Sequence, residues 1–220
     1  MPIREPLYLN LVSAQRTIRG WFRARRIRRQ LREAAQWGIG TLPEDTCGRI
    51  TGTVHAFEGQ TLEAPISGRP CVYYLIVIEE NLGVGGGGAV MGLAERSDGT
   101  SFVLEEDGHR AVVDPEHAVL SVAFDHETTS LAAFDADPRQ RKLLSDANLI
   151  HRDWFKTSSL RYREAIIEIG ERVSILGAGV REPDPDAPAA AAYRSNAQTR
   201  IRLTSSPHAQ LVISDDPRSV

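Results

Sequence analysis

Gly83, Gly85 and Gly88 meet the Gly-x-Gly-x-x-Gly spacing with which a strand-to-helix turn cradles a dinucleotide pyrophosphate, and Glu105 and Glu106 follow at about the distance where an acidic residue meets the ribose. Glycines serve there because only they let the backbone come close to phosphate. Against this, Gly85 to Gly88 are all glycine, a run that fits almost any glycine pattern. Ser97-Asp98-Gly99 arrives nine residues later, which leaves little room for the required helix. The run therefore reads as a surface loop. No Gly-Lys-Ser or Gly-Lys-Thr marks a phosphate-binding loop.

Six histidines, His55, His109, His117, His126, His151 and His208, lack metal-ligand spacing, and His126-Glu127 has Ser130 where a zinc-protease helix needs its second histidine. Glu105-Glu106-Asp107 offers carboxylates for metal or acid/base work, but it sits at a turn signal, where acidic residues suit solvent and turn geometry. Nothing marks one serine, threonine or cysteine as a nucleophile. Cys71, between Pro70 and Val72, reads as a small buried hydrophobe. No catalytic residue, metal or cofactor is assigned on this pattern. A small-ligand or nucleotide-dependent enzyme built on the glycine loop remains an alternative of another class.

The elements that must position these residues begin with a helical stripe. Leu11, Ala14, Ile18, Trp21 and Phe22 recur at helical spacing, with Arg16, Arg19, Arg23 and Arg26 gathered beside them. Beyond Arg26 a second stripe, Ile27, Leu31, Ala34 and Ala35, falls on nearly the opposite side of the same projected helix. A bend near residues 20–26, or two different partners, follows from that reversal. Nine arginines less one glutamate put +8 on residues 1–32, so the chain total of −3 leaves −11 on residues 33–220. The protein is a basic arm on an acidic body.

Gly38, Gly40 and Pro43 end the helical region. Strands are expected over 49–57, 72–79, 90–95, 101–104, 110–113, 119–124 and 172–176, with tight turns at Asp98-Gly99 and Asp107-Gly108. The nearly unbroken apolar run from Cys71 to Ile78 predicts a central strand covered on both faces. Helical spacing predicts helices over 138–150 and 160–169. Residues 182–192, rich in proline and alanine, read as a linker, and 200–204 with 210–214 as a closing hairpin. The expected architecture is mainly β (α+β): a small OB-like β-barrel with inserted short helices and an N-terminal basic amphipathic helix, divided into an arm (1–37), a β domain (38–216) and a tail (217–220). A sandwich is the alternative.

Cys47 and Cys71 are too few for a disulfide framework or a zinc finger. If 47–57 and 71–80 were neighbouring antiparallel strands, the two thiols would lie at opposite ends of the pair, roughly 30 Å apart at ~3.3 Å per residue. The longest charge-free run, Asn81 to Ala94, has 14 residues, short of the roughly 18 apolar ones that a bilayer span needs. The apolar patch precedes the arginines, the reverse of a signal peptide, so a cytoplasmic location with at most peripheral membrane attachment is expected.

Four short stretches, Gly48 to Val54, Leu62 to Tyr74 with Glu79-Glu80, Phe102 to Pro115 and Glu168 to Gly177, and the tail Ile201-Arg202-Leu203 with Leu211 to Ser214, together resemble a GIDE domain. This "beside a membrane" (BAM) domain is found in mitochondrial membrane-anchored ubiquitin ligases of the MULAN/MAPL type and in many bacterial membrane proteins. The resemblance covers about Cys47 to Asp216. It implies an interaction or sensing module rather than ubiquitin transfer, because two cysteines cannot supply the zinc-binding RING of the ligases. The arm stands where family members carry a membrane anchor. Basic amphipathic helices bearing Trp and Phe bind anionic membrane surfaces, each arginine contributing about 1 kcal/mol. Arg16, Ile18, Arg19, Trp21, Phe22, Arg23 and Arg26 are therefore the expected contact with anionic lipid or with a membrane-associated protein. The competing reading is an oligomerising scaffold whose arm packs on protein; a part in a ubiquitin-ligase-like system is a further one. Nucleic acid is not expected as a partner, since the acidic body repels a phosphate backbone.

Overall fold

The computed structural model describes residues 26–27, 29–81, 90–131, 135–150, 159–185, 199–205 and 210–215. The fold is mainly β, with a curled sheet that forms a half-barrel. Helical residues at 26, 27 and 29–33 form α1. The strands are β1 (Gly48–Ala56), β2 (Leu62–Glu63), β3 (Pro70–Asn81), β4 (Val90–Gly99), β5 (Phe102–Glu106), β6 (His109–Val113), β7 (Val119–Ser121) and β8 (His126–Leu131). After α2 (Pro138–Asp146) come β9 (Ser159–Glu168), β10 (Arg172–Gly177), β11 (Gly179–Pro183), β12 (Thr199–Leu203) and β13 (Val212–Ser214).

Eight strands in the order β11-β12-β6-β5-β1-β10-β13-β7 make the curled sheet, and β2-β3-β9-β8, with β4 on the other edge of β3, make the second. Between the sheets lies a core that includes Ile50, Val54, Phe102, Leu104 and Ile175 from the first and Val72, Tyr73 and Ile167 from the second. The opposite face of the second sheet carries Tyr74, Ile76, Ile78, Leu160 and Tyr162 onto Leu143 and Leu144 of α2. The helix starts on a complete capping box: Asp137 accepts from the Gln140 N–H, and the Gln140 side chain accepts from the Asp137 N–H. Helix α1 makes a third, smaller contact through Ile27 and Leu31 on Leu176, Val119 and Val212.

Several expectations meet a different structure. Residues 160–169 form no helix. They are strand β9, paired with β3 from Asn81↔Ser159 to Cys71↔Glu168, because an extended partner completes their backbone hydrogen bonds. Residues 200–204 and 210–214 form no hairpin. β12 pairs with β11 and runs parallel to β6, while β13 pairs with β10 and runs parallel to β7. The stretch read as a linker opens inside β11, where Glu182 and Pro183 pair with Arg200 and Thr199; its remainder from 186 lies outside the described residues. Asp98-Gly99 is the end of β4, paired with Tyr74 and Tyr73, not a hairpin tip. Asp107-Gly108 is one, with φ of 52° and 74° joining β5 to β6. β1 and β3 belong to different sheets, so strands 47–57 and 71–80 are not the neighbouring antiparallel pair that was assumed; both thiols are free.

Candidate interaction surface

The expected contact residues Arg16, Ile18, Arg19, Trp21, Phe22 and Arg23 lie outside the described residues, and Arg26 is exposed on α1. What the structure settles is half of the second stripe: the helix ends at residue 33, so Ala34 and Ala35 lie beyond it, and Ala35 is exposed. Ile27 and Leu31 are buried (4% and 0% exposed) on the outer side of the curled sheet, each such side chain contributing about 1.5–3 kcal/mol. Arg29 stays in solvent and pairs with Glu33 at 2.8 Å, the ordinary i,i+4 arrangement. The chain then locks onto β1: the Arg49 N–H donates to the Ala35 carbonyl and the Trp37 N–H to the Arg49 carbonyl, both at 2.8 Å. The base of the arm is thus fixed to the body by apolar and backbone contacts together.

The stretches that carry the family resemblance are strands and turns of the framework. In Leu62 to Tyr74 the turn after β2 is held from β9, where the buried Glu164 carboxylate accepts the Ile66 N–H at 2.7 Å and the Ser67 N–H at 3.0 Å. Gly68 in that turn has φ +73°, which L side chains rarely adopt, and the Arg139 guanidinium occupies the space where a Cβ would stand. In Gly48 to Val54, Gly52 lies against β5, where a Cβ would come 2.7 Å from the Glu105 carbonyl oxygen. Cys71 is buried beneath the turn. Burial, then the Glu164 and Glu168 carboxylates, push its thiol up to about 11, so it is no nucleophile.

The other chemical candidates disperse. Glu105, Glu106 and Asp107 line an open cleft of about 440 Å³ with Thr53, His55 and Arg172, and Arg172 pairs with Glu106 at 2.6 Å. Asp107 belongs to the β5–β6 turn, whereas Glu105 and Glu106 are the last residues of β5, paired with Arg110 and His109. Gly83 to Gly88 lie outside the described residues, but the chain leaves them into strand β4, with Val90 paired to Asn81, and not into a helix. His126 and Glu127 sit on strand β8, where the i,i+4 geometry of a zinc-protease helix does not exist. Among the described residues no cluster of histidine, cysteine, aspartate and glutamate is placed to hold a metal.

Two polar constellations emerge that spacing alone could not show. Arg161 and Arg163 of β9 interleave with Glu79 of β3 and Glu127 of β8, the closest contact being Arg161 to Glu79 at 2.7 Å. Where the chain passes from β7 to β8, the Asp215 carboxylate accepts the Ala123 N–H at 2.8 and 3.0 Å, and Asp125 accepts the Ile166 N–H at 3.1 Å. Glu171 stands in the neighbouring β9–β10 turn. Burial, then the charges of Asp215, Asp125 and Glu168, push its carboxyl up to about 7, although the Glu168 N–H that it accepts pulls the other way.

Fold and surface together define a mainly β domain with a helical segment seated on its outer face. No helix among the described residues is long and apolar enough to cross a membrane. Comparison with family models, curated proteins and solved structures finds no match for the chain.

Proposed function

We propose that this chain is a non-enzymatic, GIDE-like interaction module that works at a membrane surface or on a membrane-associated partner, with the basic arm as its adhesive element. One observation carries the reading. Ile27 and Leu31 are buried on the body, and by sequence spacing Ile18, Trp21 and Phe22 belong to the opposite side of the same projected helix. The docked stripe is read as the anchor of the arm, and the aromatic stripe, flanked by Arg26 and Arg19 with Arg23 and Arg16 farther round toward the docked side, as the part left to meet something else. A surface rich in anionic lipid suits both halves of that stripe, rings for the headgroup boundary and arginines for the charge. The likeness to GIDE domains agrees with a module of this kind, because its recurring stretches are strands and turns of the framework.

Co-sedimentation with vesicles tests the reading. The full chain should pellet with phosphatidylserine-containing vesicles, more weakly as salt rises, and not with neutral ones. Deleting residues 1–25, which spares Ile27 and Leu31, should abolish pelleting. Equal binding after the deletion, or none before it, overturns the membrane part. The docking of α1 also favours a second reading, an oligomeric scaffold, under which the same deletion would lower the mass seen by light scattering.

A further inference from the structure

We propose that the outer edge of β4, at residues 95–99, takes an extended basic segment of a partner protein as an added strand, with a lysine or arginine of that segment in the acidic cleft beside the edge. The pairing of β4 with β3 fixes which backbone groups look outward. The register runs unbroken from Tyr73↔Gly99 to Ile78↔Ala94, and the Thr100 N–H donates to the carbonyl of Val72, which stands opposite it, at 2.9 Å. In an antiparallel pair, residues bonded to the partner strand alternate with residues whose N–H and C=O turn away. Counted back from Thr100, Asp98, Arg96 and Ala94 face β3, while Gly99, Ser97 and Glu95 turn their backbone groups to the far side.

Among the described residues no other element meets those groups. The Gly99 N–H goes to the carboxylate of Asp98 at 2.9 Å, which leaves the Gly99 carbonyl and both groups of Glu95 and Ser97 open. On the edge strand β11 of the curled sheet the chain covers its own outward groups: the Gly179 carbonyl takes the Asp45 N–H at 3.1 Å, and the Arg181 N–H reaches the Glu44 carboxylate at 2.6 Å. β4 has no such cover. Residues 95–99 are all exposed, no proline interrupts them, and the irregularity of the β3–β4 ladder lies elsewhere, at Ile78/Glu79. An added strand can therefore follow this edge.

The chemistry of the occupant follows from what stands beside the edge. An open cleft of about 530 Å³ runs from Ser97 and Asp98 to the loop after β6, where Asp114 and Glu116 stand. Among the described residues no lysine or arginine pairs with these carboxylates: Glu116 meets His117 at 3.5 Å, and Arg96 of the edge is drawn to Asp146 at 3.0 Å. A second copy of β4 would bring its own Glu95 and Asp98 to the same place, and a phosphate-bearing partner would be repelled. An extended peptide with cations at alternate positions satisfies the open backbone groups and the carboxylates together. This inference is independent of the membrane reading, because it uses no residue of the arm.

Two end-blocked nonapeptides, one alternating lysine with threonine and the other glutamate with threonine, titrated into the isotope-labelled full chain and followed by NMR, test it. The lysine peptide should shift the amides of residues 95–101, less so as salt rises, and at saturation should slow exchange of the Glu95 and Ser97 amides by about tenfold or more. The glutamate peptide should leave them in place. So should the lysine peptide with an N-methylated backbone, which keeps the charge and loses the donors. In the double variant Asp114→Asn, Glu116→Gln the Kd of the lysine peptide should rise about fivefold. Shifts centred away from residues 95–101, an equal response to the glutamate or N-methylated peptide, or no response at millimolar concentration overturns the proposal. Concentration-dependent shifts at residues 95–99 in the chain alone would give the edge to a second copy and overturn it as well.

Discussion

Replacing Glu164 tests how the second sheet holds the turn after β2. Its side chain is fully buried on β9, and its two oxygens take the Ile66 and Ser67 N–H groups at 2.7 and 3.0 Å. The turn is otherwise closed by Ala64 N–H to the Arg69 carbonyl and Gly68 N–H to the Ala64 carbonyl, and at its end Arg69 reaches Glu168 of β9 at 3.1 Å in a partly exposed pair. In Glu164→Gln one oxygen remains, so one of the two N–H groups keeps an acceptor and the other meets an NH2 group. A buried N–H left without a partner costs about 1–3 kcal/mol, and the surviving bond loses its charge assistance, so the total comes to about 2–3 kcal/mol. Glu164→Ala orphans both donors and leaves a cavity beside Ala64 and Ile66, which raises the loss to about 3–5 kcal/mol. Urea unfolding followed by tryptophan fluorescence measures both, with an unchanged m-value as the sign that only the native state is affected. At about 2–4 °C per kcal/mol for a chain of this size, Gln should lower Tm by roughly 4–10 °C. The reasoning fails if Gln costs under about 1 kcal/mol, or if Ala costs no more than Gln, because then the carboxylate is not what holds the turn.

Gly52→Ala places a methyl 2.7 Å from the Glu105 carbonyl oxygen, a backbone atom that cannot step aside without opening the β1–β5 pairing. A loss of about 2–4 kcal/mol in the same unfolding assay is expected. Gly92→Ala, whose added Cβ meets nothing within 4 Å, should be neutral or slightly stabilising; equal losses at both positions would count against steric contact as the cause. The thiol reagent DTNB should label Cys47, which is exposed, and spare Cys71, buried with its thiol pushed up to about 11, until urea is added. For Glu171, the folded-state value of about 7 lies above the unfolded one near 4.3, so the native state binds the extra proton. The associated stability is full below about pH 4 and is lost as pH rises toward 7. Glu171→Gln should therefore match the wild type at about pH 4 within a few tenths of a kcal/mol and exceed it at pH 8.5. The shift taken whole corresponds to about 3–4 kcal/mol, and solvent screening of this half-buried group lowers the expectation to about 1–2 kcal/mol.

The strands that the sequence announces are those with a local signature. β3 shows in its unbroken apolar run, and β5 and β6 show in the Asp107-Gly108 turn between them, whose positive φ values glycine and aspartate tolerate. β9 misleads because Tyr162, Ala165, Ile166 and Ile169 also fit a helical stripe, and only the pairing with β3 decides between the two periods. β8 is invisible for a different reason: at the sheet edge just Ser130 of its six residues is buried, so His126–Leu131 carries no apolar alternation. The parallel pairs β6–β12 and β7–β13 join residues about 90 positions apart, beyond any local rule. The same distance hides the polar constellations. Asp125, Glu171 and Asp215 look singly like solvated carboxylates, and only the fold assembles them. Of the residues proposed for surface contact, the described structure contains Arg26, exposed on α1, and the others lie outside the described residues.

The lateral pairing of β12 with β6 and of β13 with β7 has a consequence during synthesis. β6 leaves the ribosome with one flank occupied by β5, and β7 with none, because β13 is its sole partner in the sheet. Both wait on segments translated about 90 residues later, Thr199–Leu203 and Val212–Ser214. A nascent chain therefore carries open hydrogen-bonding flanks throughout that interval, the condition in which chaperone capture and intermolecular strand exchange compete with folding. A premature stop before Thr199 would strand the curled sheet in that unfinished state, so quality control should treat such a truncation as severely as the loss of a core residue.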